Sequence, residues 1–321
     1  MKIQPFLIFC VIAASACGGS KQEIEQPTPP EAAPELPKSV DAAAEDLSTA
    51  AAEVEKPEVP AISFTHGRFV WFEHWSKTEK QVAKTKTFYE GLFGWTHSEQ
   101  EIAGTKFTAI MNGQIPIGMT AVADKKLKVK QGLWMGYISV PDVDTVAANA
   151  KAAGGKVHFG PEDMSGVGRV AFLTDKMGTV WGAVKSLRGD APMTEPKQGE
   201  FAWMELWARK AEQEKSAKFY EGAIGYKRQS MPVGKGTYTM FAYGNIPYAG
   251  LEKAPNNKRS RIWVPFVRVK SVDDSFKLAK KLGAKVVAKP TDFENIGRGA
   301  TVADPSGAVI GLFTPAAPAG K

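Results

Sequence analysis

The chain has 321 residues, 43% of them hydrophobic and 23% charged, with a formal net charge of +7. That length admits two or three domains with cores of their own. After residue 17 no apolar run approaches the roughly 20 residues of a membrane-spanning helix, and no basic cluster interleaved with aromatics marks a nucleic-acid surface. The two cysteines are Cys10 and Cys17, so the chain beyond them offers no disulfide, thiol nucleophile or cysteine metal ligand.

Lys2 and the short apolar run Phe6 to Ala14 read as the start of a signal peptide spanning 1–16. Ala14-Ser15-Ala16-Cys17-Gly18 resembles a lipobox, which implies a lipid anchor at Cys17. The expected location is the outer membrane, facing the periplasm or the surface; a soluble periplasmic protein is the alternative. Residues 17–62 then read as the lipidated cysteine and a disordered tether rich in Pro, Ala and Glu. Residues 18–60 hold three Lys and ten Asp or Glu, a net −7, and no aromatic; such a segment cannot bury enough surface to fold. With Lys2 and the tether set aside, residues 61–321 carry +13.

The remainder repeats itself. Phe69-Val70-Trp71-Phe72-Glu73-His74-Trp75 returns as Phe201-Ala202-Trp203-Met204-Glu205-Leu206-Trp207. Phe88-Tyr89-Glu90-Gly91 returns as Phe219-Tyr220-Glu221-Gly222, and Gly168-Arg169 and Asp175-x-x-Gly178 return as Gly297-Arg298 and Asp304-x-x-Gly307. An offset that stays between 129 and 132 residues marks a duplicated structural unit. In chain order, alternation predicts a strand at 69–75 and the pattern predicts a helix over 79–93. Strands follow near 95–101, 105–112 and 115–122. The order restarts with a strand at 133–140, a helix at 142–153 stopped by Gly154-Gly155, and strands near 156–160, 168–174 and 179–185. Residues 189–198, with two prolines, read as a linker between a first copy at 63–188 and a second at 199–316. Asp142, Asp144 and Asp163 sit near helix starts or turns and read as caps.

These motifs, in this order and twice over, resemble the vicinal oxygen chelate superfamily of glyoxalases, bleomycin-resistance proteins and dioxygenases. The resemblance implies an α+β protein: a tandem pair of domains, each of two βαβββ units forming a cupped eight-stranded sheet or barrel. It also implies four metal-ligand positions per cup. They fall on Trp71 or Glu73, near Met119, on Met135 and on Gly182, and in the second copy on Trp203 or Glu205, near Leu251, on Val264 and on Gly311. Apart from the two glutamates, none of these side chains holds a metal, and the four histidines, His66, His74, His97 and His158, all precede the second copy. The expectation is therefore no metal and no cofactor. His74 shares its strand face with Val70 and Phe72 and reads as structural.

What remains is an aromatic strand face with one carboxylate in each copy. Phe69, Trp71, Glu73 and Trp75 alternate onto one side, as do Phe201, Trp203, Glu205 and Trp207, and Trp134, Trp181 and Trp263 are expected to approach the same cups. A buried carboxylate needs a partner, which predicts ion pairs Glu73–Arg169 and Glu205–Arg298. The expected ligand-pocket residues are thus Trp71, Glu73, Trp75, Trp134 and Arg169, with Trp203, Glu205, Trp207, Trp263 and Arg298. Three functions stay open: a binding protein for a small aromatic or amphipathic molecule, with no catalytic residue; a metal-independent or atypically ligated lyase, isomerase or hydroxylase; or an envelope scaffold whose cups are filled. The expected partners are a small molecule and the membrane, through the anchor, and the chain is expected to be a monomer or homodimer.

Overall fold

A computed structural model describes residues 62–102, 105–124, 129–234 and 236–317. The expected signal peptide, Cys17 and the acidic segment before residue 62 lie outside the described residues.

The first copy runs β1 (Phe69–Ser76), α1 (Glu79–Phe93), β2 (Thr96–Ile102), β3 (Thr105–Asn112) and β4 (Ile115–Val122). It then repeats with β5 (Leu133–Ser139), α2 (Val143–Ala152), β6 (Lys156–Met164), β7 (Gly168–Thr174) and β8 (Val180–Ser186). The second copy follows the same course through β9 (Phe201–Ala208), α3 (Gln213–Ile224), β10 (Lys227–Val233), β11 (Gly236–Tyr243) and β12 (Ile246–Lys253). It closes with β13 (Ile262–Arg268), α4 (Val272–Lys281), β14 (Lys285–Phe293), β15 (Gly297–Ala303) and β16 (Val309–Pro315). The fold is α+β, with each copy forming one mixed sheet of eight strands. The sheet orders are β2-β3-β4-β1-β5-β8-β7-β6 and β10-β11-β12-β9-β13-β16-β15-β14. Each sheet is two βαβββ units joined at a central antiparallel pair, β1 with β5 or β9 with β13.

Local chemistry sets the helix limits. The Thr78 side chain accepts from the Gln81 N–H at the start of α1, while Gly94 ends it at φ 73°. That backbone is cheap for glycine. Gly225 does the same for α3 at φ 85°, and Asp142 and Ser271 cap α2 and α4.

The helix-bearing faces of the two sheets share one core. Phe88, Tyr89, Trp95 and Trp134 of the first copy belong to the same buried cluster as Phe219, Tyr220, Phe241 and Trp263 of the second. Phe72 stacks on Phe201 with ring centres 3.8 Å apart, and Phe69 tilts against Trp263 at 4.9 Å. Burial of each such side chain contributes about 2–3 kcal/mol, so the copies are tied by aromatic packing. The opposite face of each sheet, the cup, is left out of this junction.

Two polar clasps close the junction, one from each copy's Asp-x-x-Gly turn. Asp304 accepts from the Tyr89 hydroxyl at 2.9 Å and lies 2.8 Å from His74 Nε2, while Trp134 donates to Tyr89 at 3.0 Å. Its other oxygen accepts from the Ser306 hydroxyl and from the backbone N–H groups of Ser306, Gly307 and Ala308. In the reciprocal clasp Asp175 faces Tyr220, to which Trp263 donates at 3.0 Å. Leu206 stands where the first copy has His74. The difference sets the two carboxyls apart. Burial pushes both upward, and Asp175 ends above its ordinary value. The charge and hydrogen bond of His74, with Ser306 and Tyr89, carry Asp304 below it. His74 is structural, as its strand face suggests, and is fully buried.

A carboxyl held below its ordinary value stabilises the fold above the unfolded pKa and loses that contribution as pH falls through the folded one. His74→Leu is therefore expected to lower unfolding stability by roughly 3–5 kcal/mol at pH 7. The deficit should shrink as the pH is lowered below 4. Urea unfolding of both proteins at pH 7 and pH 3 checks this, and equal midpoints at pH 7 would remove the clasp from the account.

Candidate functional site

Strand alternation puts Trp71, Glu73 and Trp75 on the cup face of β1, and Trp203, Glu205 and Trp207 on that of β9. The first aromatic of each motif breaks ranks. The β1–β5 register shifts between Phe69 and Trp71, and the β9–β13 register shifts between Phe201 and Trp203. An extra residue at each bulge turns Phe69 and Phe201 to the helix-bearing face, where they meet the aromatics of the other copy.

The first cup is filled. Glu73 lies in register between Met119 on β4 and Met135 on β5 and is fully buried. Trp71, Trp75, Phe107, Met119, Met135, Tyr137, Val170 and Phe172 pack into a single cluster around it. The Trp75 indole donates to Glu73 Oε2 at 2.8 Å. Burial pushes the Glu73 carboxyl up to about 8, against the hydrogen bonds of Trp75 and Tyr137. Trp75 and Phe172 have ring centres 5.5 Å apart although β1 and β7 are not neighbours: the sheet curls until its flanks touch.

The second cup keeps the same floor and loses the filling. Trp207 donates to Glu205 Oε2 at 3.0 Å, Tyr238 donates to Oε1 at 2.8 Å, and Trp203 donates to the Tyr238 hydroxyl at 2.9 Å. Burial raises the Glu205 carboxyl above its ordinary value, and nearby Glu252 raises it further. The repeat offset aligns Met119 with Gly250, Met135 with Val264, Phe172 with Thr301 and Val170 with Gly299. Four large or branched cup residues thus become smaller ones. Val184 to Phe313 and Ala109 to Met240 return only part of that volume, on flanking strands. Trp203, Glu205, Tyr238 and Phe266 are accordingly half-buried, while Phe293 on the outermost strand is 40% exposed.

Several expected pocket residues lie elsewhere. Arg169 and Arg298 form no pair with the glutamates. On β7, Val170 and Phe172 face the cup, so Arg169 points to the helix-bearing side. It pairs there with Asp144 of α2 and with Asp163 at 3.0 Å. Arg298 pairs with Asp273 at 2.7 Å and Asp292 at 2.8 Å. Asp144 and Asp163 are thus arginine partners, and of the three acids read as caps only Asp142 caps a helix. Trp134 and Trp263 face the shared core and bond to Tyr89 and Tyr220, and Trp181 joins them there. Near the expected Leu251 position, the cup-facing residue is Gly250: a Cβ there would lie 1.8 Å from the Tyr238 hydroxyl, whereas Leu251 packs in the shared core. Tyr238, Phe266 and Thr301 were not singled out in the sequence. The 129- to 132-residue offset, applied to the strands flanking the aromatic motif, is the signal that finds them.

The four ligand positions do not suit a metal. In the first cup they hold Glu73, Met119, Met135 and Gly182, and in the second Glu205, Gly250, Val264 and Gly311. Both strand glycines are covered by a ring. A Cβ on Gly182 would lie 2.1 Å from Tyr137, and one on Gly311 the same distance from Phe266. A ligating side chain at either place would have to displace an aromatic floor residue. The histidines are dispersed: His66 stacks on Tyr243, His97 pairs with Glu90, and His158 meets Thr174.

Residues 71–182 match the model of the Glyoxalase/Bleomycin resistance protein/Dioxygenase superfamily. CFP32 of Mycobacterium tuberculosis, named as a candidate glyoxylase, is 29% identical over 246 residues, covering 74% of this chain and 92% of that protein. The anthracycline biosynthesis protein DnrV of Streptomyces peucetius is 26% identical over 262 residues, covering 76% and 92%. Among solved structures, the fold is shared with 2,2',3-trihydroxybiphenyl 1,2-dioxygenase of Sphingomonas wittichii. That match has a TM-score of 0.55 at 12% identity, over 78% of this chain and 91% of that one. The 2,3-dioxygenase LapB of a Pseudomonas species matches with a TM-score of 0.53 at 13% identity, over 80% and 96%.

A carboxyl raised in the folded state stabilises the fold below its unfolded pKa and loses that contribution as pH rises towards the folded value. Stability should fall between about pH 4.5 and pH 8 through Glu73, with a slope on the order of 1.4 kcal/mol per pH unit where the full proton difference applies. Glu73→Gln is expected to flatten that slope and to be more stable than the parent at pH 8. Urea unfolding across this range checks it; an unchanged slope would show that Glu73 stays ionised in the folded cup.

Proposed function

We infer that this chain, which belongs to the Glyoxalase/Bleomycin resistance protein/Dioxygenase superfamily, binds a small, flat, amphipathic organic molecule in its second cup. One observation carries the reading. The same carboxylate-and-tryptophan floor lies under a packed, fully buried interior in one copy and under smaller side chains that leave it half-buried in the other. Open apolar concavities with a few converging polar groups are where small molecules bind. Here Trp203 and Phe266 offer apolar area, and Glu205 and Tyr238 offer a fixed polar anchor. The first cup serves as a structural counterpart whose aromatic filling holds its half of the molecule rigid. A flat aromatic ligand also accords with a relative named for anthracycline biosynthesis. The lipobox-like segment ending at Cys17 supports an envelope location, with the cup displayed on the acidic tether.

The test uses acridine, a neutral flat fluorophore at pH 7.5, titrated into the full chain. Saturable binding to one site per chain is expected. Val264→Met with Thr301→Phe installs the first cup's own side chains in the second. It is expected to abolish that binding while the melting temperature stays within a few degrees of the parent. Unchanged binding in the refilled variant would remove the second cup as the site.

A further inference from the structure

Among the described residues, the charged side chain that acts on Glu205 in the second cup is Glu252, of the same sign. Gly250 pairs with Glu205 and Glu252 with Trp207 on adjacent parallel strands, so the two glutamates are diagonal neighbours on one face. Glu252 is exposed at the cup and forms no ion pair among the described residues. Its one hydrogen bond there comes from the Lys253 backbone. The side chains in register around Glu205 are Gly250, Val264 and two tryptophans, none of them cationic. The arginine at the far end of β13, Arg268, is engaged by Glu195 and the Pro196 carbonyl. This acidic patch sits in a folded body whose residues 61–321 carry +13, so it runs against the charge of its surroundings.

A second feature points to a ligand independently of the acids. Thr301 is 4% exposed, and its hydroxyl has no hydrogen-bond partner among the described residues. It stands opposite Gly311 on the cup face, where the first copy places Phe172. A buried hydroxyl without a partner costs free energy, and a phenylalanine there would cost none. The second copy therefore presents an acceptor where the first presents a ring.

We propose that the ligand of the second cup is an aromatic cation, a protonated amine or iminium on a flat body. Its charge lies between Glu205 and Glu252, and Thr301 accepts from one of its N–H groups. This rests on the reading of the second cup as the binding site and adds the charge of what it takes. Carboxylates satisfy the cation directly. The indole and phenyl rings of the floor favour a cation over a neutral molecule of the same shape. The positive body repels cations elsewhere on the folded surface.

Three probes of one shape separate the charge from the cup: 9-aminoacridine, a cation at pH 7.5, neutral acridine, and anionic acridine-9-carboxylate. Each is titrated by fluorescence into the full chain, its Glu252→Gln variant and its Thr301→Val variant. The cation is expected to bind about tenfold more tightly than acridine, and the anion more weakly than either. The preference should narrow in Glu252→Gln and with added salt, while acridine affinity stays the same. Thr301→Val should weaken the cation alone. Equal affinities of the cation and acridine for the parent would overturn the charge assignment and leave the cup as the site. A preference that survives intact in Glu252→Gln would also overturn it, placing the attraction elsewhere, as on the acidic tether. No saturable binding of any probe would overturn both readings.

Discussion

The aromatic junction between the copies constrains everything else. Each sheet has two faces, and the helix-bearing ones are consumed in a shared core to which Trp95, Trp134, Phe241 and Trp263 contribute. That assignment decides the role of each strand residue by parity. Residues aligned with Phe72 or Met204 must satisfy the partner copy; residues aligned with Glu73 or Glu205 answer only to their own cup. The bulges after Phe69 and Phe201 carry this division to the strand ends by sending one more aromatic to the junction. The Asp-x-x-Gly turns complete it, each planting a carboxylate beside the buried tyrosine of the opposite copy.

Because the junction uses one face only, the cups were free to diverge without loosening the assembly. In the first, Met119, Met135 and Phe172 close over Glu73, whose carboxyl is more easily kept neutral than paired in so apolar a site. In the second, Gly250 makes room for Tyr238, which donates to Glu205 at 2.8 Å. The same glutamate is thus muffled by methionines in one copy and presented by a hydroxyl in the other. Tryptophan donors Trp75 and Trp207 are common to both, which marks the Glu–Trp pair as the inherited part and the surrounding volume as the variable part.

The fold was legible in the sequence because it rests on order and periodicity: helix stops at Gly94 and Gly154, alternation over 71–75, and the offset that pairs each landmark with its copy. The cup contents were less so. The expected Glu73–Arg169 pair came from co-occurrence in both copies, but co-occurrence does not give register, and Arg169 lies one residue off the cup parity. It repeats with Glu73 because Asp144 and Asp273 repeat as well, each supplying a helix-borne partner. Trp134 and Trp263 failed for the same reason: a tryptophan on a central strand is equally at home on either face until a neighbour with an acceptor, here Tyr89 or Tyr220, decides it. Phe69 and Phe201 failed because nothing in an alternating run announces a bulge.

Register also settles why the ligand positions hold no metal set. Gly182 and Gly311 are small because Tyr137 and Phe266 lie flat across them, and those rings are part of the floor that carries the glutamates. Restoring a ligating side chain at either glycine would expel the ring, and with it the wall against which Glu73 or Glu205 is set. The aromatic floor and the metal set are therefore competing solutions for the same four strands. Once the ring has taken the glycine's place, the glutamate's remaining chemistry is that of a single carboxyl held by indole and phenol donors. Such a carboxyl can orient a polar or charged group of a ligand, and it needs no partner from the metal-binding positions to do so.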